Sequence, residues 1–60
     1  MPYVNVKLAG NITKAQKKEI AKEITETLER VANKPKSYTY ITFEEIAYED
    51  WAIGGQLLDE

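Results

Sequence analysis

Sixty residues leave room for one domain, residues 1–60, and a chain this short buries only ~60% of the surface that it exposes when unfolded. It contains neither cysteine nor histidine, which excludes a disulfide framework and a structural zinc site held by those side chains. Eight basic against ten acidic residues, a net charge of −2, leave no positive excess to hold a nucleic acid.

With two of the usual staples of a very small protein missing, self-association is the expected source of stability. No apolar run approaches the ~20 residues of a membrane span, and the first residues lack the basic-then-apolar pattern of a secretory leader. A cytoplasmic protein with no membrane partner is expected. No metal or organic cofactor is expected either, because ligand clusters and Gly-rich phosphate fingerprints are both missing from the chain.

Pro2 stands directly behind Met1 and ahead of a stretch that alternates: Val4, Val6 and Leu8 on one side, Tyr3, Asn5 and Lys7 on the other. Period-two alternation predicts a half-buried strand, and proline is tolerated at the first residue of one. If Met1 is removed, Pro2 becomes a secondary amine, a base and nucleophile that no interior proline can be.

Gly10 and Asn11 break the strand. Thr13-Lys14-Ala15-Gln16 then offers a capping box, in which Thr13 accepts from the Gln16 backbone and Gln16 reaches back. Ile20, Ile24, Leu28 and Val31 follow at spacings of four, four and three, which predicts a helix with one apolar stripe and a solvated face. On that face, Lys22/Glu26 and Glu26/Arg30 are oppositely charged pairs four residues apart. Asn33 suits a left-handed residue after the last turn and Pro35 cannot continue the helix, so the helix ends near Ala32.

The segment from Ser37 to Ile46 alternates again, Thr39, Ile41 and Phe43 against Tyr38, Tyr40 and Thr42, and predicts a second strand. Two strands joined by a helix form a parallel βαβ unit. One helix covers one face only. The tyrosine-bearing face and the sheet edges are left open, which points to strands pairing with a second subunit in a larger sheet. Beyond them, Gly54-Gly55 between Trp51-Ala52-Ile53 and Gln56-Leu57-Leu58 predicts a short hairpin or arm. The expected class is therefore α/β (α+β): a single βαβ unit with a short C-terminal hairpin.

These features in this order resemble the 4-oxalocrotonate tautomerase family: Met-Pro before an alternating strand, a Gln-Lys-rich helix start, a second strand ending in Glu-Glu, and an aromatic residue just before Ile-Gly-Gly. The resemblance spans Pro2 to Gln56. It implies βαβ subunits assembled as homohexamers, trimers of dimers, with active sites shared between subunits. It implies further that Pro2, freed by loss of Met1, is the general base that moves a proton between the atoms of an enol or keto acid. Trp51 takes the place of the aromatic residue that walls the pocket.

Independent physics supports that pairing. An α-amino group titrates at ~7.7–8.0 and a proline amine is more basic still, but burial against apolar rings disfavours the ammonium and brings the base toward neutrality. A base poised there suits general acid–base catalysis. A lone tryptophan in a small oligomer also serves as an interface anchor, and both roles can hold at once.

The chain departs from the family at two arginines that bind substrate carboxylates. Their positions hold Ile12, with Asn11 beside it, and Tyr40, while the only arginine, Arg30, lies late in the helix. Dicarboxylate substrates are therefore not expected. The Tyr40 phenol is a candidate oxyanion donor, and Lys14 in the first helical turn or Lys7 on the strand are candidates to meet a single carboxylate. Packing or a subunit interface is the competing role for Tyr38 and Tyr40.

Three functions remain open. The first is a small tautomerase-like isomerase acting through Pro2 on a neutral or monocarboxylate enol or keto compound. The second keeps Pro2 but performs hydration, dehalogenation, decarboxylation or imine chemistry. The third is a non-catalytic oligomeric binder of a small molecule.

Overall fold

The computed structural model describes residues 1–60. Strand β1 (Tyr3–Ala9) leads into helix α1 (Lys14–Ala32), which returns the chain to β2 (Tyr40–Ile46). β1 and β2 pair in parallel, with Tyr3 opposite Tyr40, Asn5 opposite Thr42 and Ala9 opposite Ile46. A separate hairpin follows, β3 (Ala52–Ile53) antiparallel to β4 (Gln56–Leu57). Its turn needs two residues at positive φ, and Gly54 and Gly55 supply them at 62° and 82°.

Alternation decides which face meets the helix. Val4, Val6 and Leu8 on β1, with Ile41 and Phe43 on β2, are half-buried, whereas Tyr3, Asn5, Lys7, Tyr40, Thr42 and Glu44 are exposed. The helix answers with half-buried Ile20, Ala21, Ile24 and Leu28. Val31, expected on the same stripe, is 70% exposed. The reason is length: Leu28 already stands beside Val4, near the start of β1, so the last helical turn projects past the sheet.

Both ends of α1 are set locally. The capping box forms in full, Gln16 N–H to Thr13 Oγ1 at 3.1 Å and Thr13 N–H to Gln16 Oε1 at 2.8 Å. Asn33 closes the helix in the left-handed region at φ 57°. Replacing Thr13 with alanine removes one half of the box. The expected cost is about 1 kcal/mol, read as a lower urea midpoint with an unchanged m-value.

The start of the second strand also needs correction. The second strand starts at Tyr40 rather than Ser37, because Lys36–Tyr38 form a 3-10 turn. Pro35 opens that turn: its carbonyl takes the Tyr38 N–H at 3.1 Å and the Lys36 carbonyl takes the Thr39 N–H at 3.2 Å, so both backbone donors are committed before the ladder begins. Along the helix, Lys22/Glu26 and Glu26/Arg30 form no ion pair. Exposed long side chains gain little from being held together. The ion pairs that form are Lys17–Glu45 at 2.7 Å and Lys36–Glu29 at 3.9 Å.

No residue of the single chain is fully buried. Its radius of gyration is 14.5 Å over extents of 43 × 24 × 14 Å, against roughly 10 Å for a compact domain of this length. Its accessible surface is 4769 Å², where a compact monomer of this size exposes roughly 4,000 Å². The surplus is the open sheet face, the projecting helix end and the hairpin. No helix is long and apolar enough to cross a membrane.

Candidate active site

Pro2 sits immediately before β1 and is half-buried. Its carbonyl accepts the Tyr40 N–H at 3.0 Å, which begins the parallel ladder one residue early and anchors the proline. Residue 2 continues the even-numbered series of Val4, Val6 and Leu8, on the helix side. Tyr40 falls on the opposite, open face, 57% exposed, beside Tyr3. There the Tyr3 phenol and the Asn5 amide both meet Thr42 Oγ1, at 2.7 and 2.8 Å. Within one subunit, then, Tyr40 shares an end of the sheet with Pro2 but not a face.

Asn11, Ile12, Lys14 and Trp51 gather at the other end. Gly10 turns the chain at φ 88°, and its N–H reaches the Ile46 carbonyl at 2.8 Å. The Tyr48 phenol lies over this glycine so closely that a Cβ there would stand 2.7 Å from its oxygen. Ile12 follows, half-buried, between exposed Asn11 and the start of α1, where Lys14 is exposed. Tyr48–Asp50 form a short 3-10 turn and deliver half-buried Trp51, whose carbonyl accepts the Leu58 N–H at 2.9 Å. The hairpin packs mainly on this turn, leaving Ile53 73% and Leu58 39% exposed as an arm.

A carboxylate ties this end together. Glu45 occupies the position after Ile41 and Phe43 on the helix-side face, where alternation calls for an apolar residue. Its Oε2 accepts the Ile12 N–H at 2.9 Å and its Oε1 the Lys17 ammonium at 2.7 Å. The Lys17 hydrogen bond, then that from Ile12, holds the carboxyl below its ordinary value of 4.5. Between that lowered value and 4.5 the folded chain binds fewer protons than the unfolded one, so this interaction is fully present above 4.5 and is lost as the pH falls through the folded value. Glu45→Gln is accordingly expected to flatten the acid limb of a plot of Tm against pH by lowering Tm in the neutral region, where the interaction is present, and leaving Tm at pH below the folded value little changed. An identical acid limb in the variant would rule this out.

The two groups of candidates lie at opposite ends of a seven-residue strand, roughly 20 Å apart at ~3.3 Å per residue. No single subunit brings Pro2 and Tyr40 to Asn11, Ile12, Lys14 and Trp51. The one cavity of the chain, about 270 Å³ and open, lies between the start of β1 and the helix, on the face that carries Pro2, and its lining of Val4, Glu23, Ile24, Thr27 and Leu28 includes none of these candidates. No group of three acidic side chains converges to hold a metal ion.

A family model described as tautomerase enzyme matches residues 2–60. The chain belongs to the tautomerase family. Among its relatives, the probable tautomerase RSp1151 of Ralstonia nicotianae is 41% identical, over 100% of this chain and 92% of that protein. The solved structure of YwhB, a homologue of 4-oxalocrotonate tautomerase, superposes with a TM-score of 0.91 at 25% identity, over 98% of this chain and 97% of that one. A heterohexameric 4-oxalocrotonate tautomerase from Chloroflexus aurantiacus shares the fold, with a TM-score of 0.89 at 18% identity over 100% of this chain and 97% of that one.

For this tautomerase-family chain, sequence reasoning missed Glu45, Lys17 and Tyr48. The signal for Glu45 was present, since a carboxylate interrupts the apolar alternation there. Nothing in the spacing pointed to Lys17, one of four lysines within nine residues, or to Tyr48 as the cover of Gly10.

Proposed function

We propose that the protein catalyses keto–enol proton transfer on a neutral or monocarboxylate enol or keto compound, with the Pro2 amine, freed by removal of Met1, as general base. The observation that carries this reading is the family match, which begins at Pro2. The amine takes a proton from one end of the enol system, and the resulting ammonium returns it to the other. Charge develops on the substrate oxygen in between, and a phenol donor such as Tyr40 suits that position.

The separation of the two half-sites supports an active site completed by other copies of the chain. A neighbour turned end for end sets its Ile12 loop and Trp51 against this subunit's Pro2. Tyr40, on the opposite face from its own Pro2, then serves a different copy. We infer assembly as a homohexamer, a trimer of dimers, with strands paired across subunits; the heterohexameric tautomerase from Chloroflexus aurantiacus supports a six-subunit assembly for this fold. Trp51 forms an apolar wall that keeps Pro2 largely unprotonated. Ile12, where the family places an arginine, leaves Lys14 and Asn11 as the polar contacts for at most one carboxylate.

Phenylenolpyruvate, an enol with a single carboxylate, is a suitable probe. Protein shown by intact mass to lack Met1 is expected to ketonise it, and the Pro2→Ala variant to lose that activity. No turnover by protein with a free Pro2 on this or any neutral enol overturns the reading, and absence of covalent labelling of Pro2 by a carbonyl compound with borohydride then leaves a non-catalytic binder.

A further inference from the structure

We propose that Glu45 is a positioning residue for substrate binding, holding the Gly10–Thr13 loop through the Ile12 backbone so that Ile12 and Asn11 are set before substrate arrives. The proposal rests on the reading that this loop lines the active site of a neighbouring copy.

The geometry separates this role from fold maintenance. The loop is already tied at both ends without Glu45: the Gly10 N–H reaches Ile46 at 2.8 Å and the Thr13 N–H reaches Gln16 at 2.8 Å. Glu45 grips the middle. Its two oxygens face two different donors, Ile12 N–H and Lys17 Nζ, so the ammonium fixes the rotamer that presents the other oxygen to the loop. The side chain is 26% exposed. A carboxylate at a position whose pattern asks for an apolar residue breaks a local rule, and such breaks concentrate at functional sites. Glu45 acts on the neighbouring copy's site only through the Ile12 backbone, so substrate binding rather than the chemical step carries its effect.

The expected result is a split between kinetic constants. Glu45→Ala raises KM for phenylenolpyruvate about tenfold, the scale of one lost hydrogen bond to a charged group, and leaves kcat within about twofold. Glu45→Gln keeps a carbonyl oxygen for the Ile12 N–H and stays within about threefold of the parent KM, while Lys17→Met keeps the carboxylate but frees its rotamer and raises KM to a value between those of the parent and Glu45→Ala. Amide exchange in the unmodified protein gives a reading that needs no variant: the Ile12 N–H is protected in the absence of substrate.

An unchanged KM in Glu45→Ala, a Glu45→Gln variant as impaired as Glu45→Ala, or an Ile12 amide exchanging at the unfolded rate each overturns the proposal. The parent enzyme keeps this test separate from the proposed function. If the parent turns the probe over through Pro2 while Glu45→Ala matches it, only the positioning role fails. If the parent is inactive, the proposed function fails first and the Ile12 exchange still decides whether the loop is held.

Discussion

Replacing Pro2 with alanine is expected to lower kcat/KM for phenylenolpyruvate by about 10²–10⁴, the contribution of a well-placed general base. The fold tolerates the change. Pro2 offers the ladder only its carbonyl, which takes the Tyr40 N–H at 3.0 Å, and alanine has the same carbonyl. What alanine loses is the ring, which fixes the direction of the nitrogen and makes it a secondary amine. Circular dichroism and the mass of the assembly should therefore match those of the parent while the rate falls. Retention of Met1 is expected to have the same kinetic effect by a different route, because the nitrogen becomes an amide with no basic lone pair. Comparing activity with the fraction of processed chains by intact mass spectrometry separates the two, and activity that ignores both changes removes Pro2 from the mechanism.

Unfolding that depends strongly on protein concentration is the second large effect. The lone subunit has no fully buried residue, and Val31, Ile53 and Tyr40 are 70%, 73% and 57% exposed. Apolar surface is the main favourable term in folding. A chain that hides so little of it is expected to have no stable folded monomer, so that dissociation and unfolding become one event. For a pair of subunits each tenfold dilution costs about 1.4 kcal/mol, which moves the Tm of chains this small by a few degrees. Ile53→Asp, which puts a charge on the hairpin arm, is expected to lower the Tm further and to shift the mass distribution toward single, unfolded chains. A Tm that stays constant over a hundredfold range of concentration would show that the subunit is stable alone.

Much of the fold was legible in the sequence because its signals are local. Strand alternation, the capping box of Thr13 and Gln16, the left-handed Asn33 and the Gly54-Gly55 turn each depend on residues within one turn or one strand of each other. The strand start was missed by three residues because the Pro35 and Lys36 carbonyls capture the Tyr38 and Thr39 N–H groups, and a β-rich composition gives no sign of that competition. Val31 was placed in the core because a helical stripe has no marker for where the facing strand ends.

The sequence by itself determined a βαβ subunit with a C-terminal hairpin, an apolar helix stripe and an open tyrosine-bearing sheet face, since backbone preference and side-chain period write these into neighbouring positions. Only the tertiary structure decided that Pro2 and Tyr40 stand at one end of the sheet and on different faces, that Ile12 and Trp51 stand at the other end, and that Glu45 joins Ile12 to Lys17. Those relations depend on strand register and on contacts between residues 28 and 33 positions apart, and no periodicity along the chain encodes a distance of that kind.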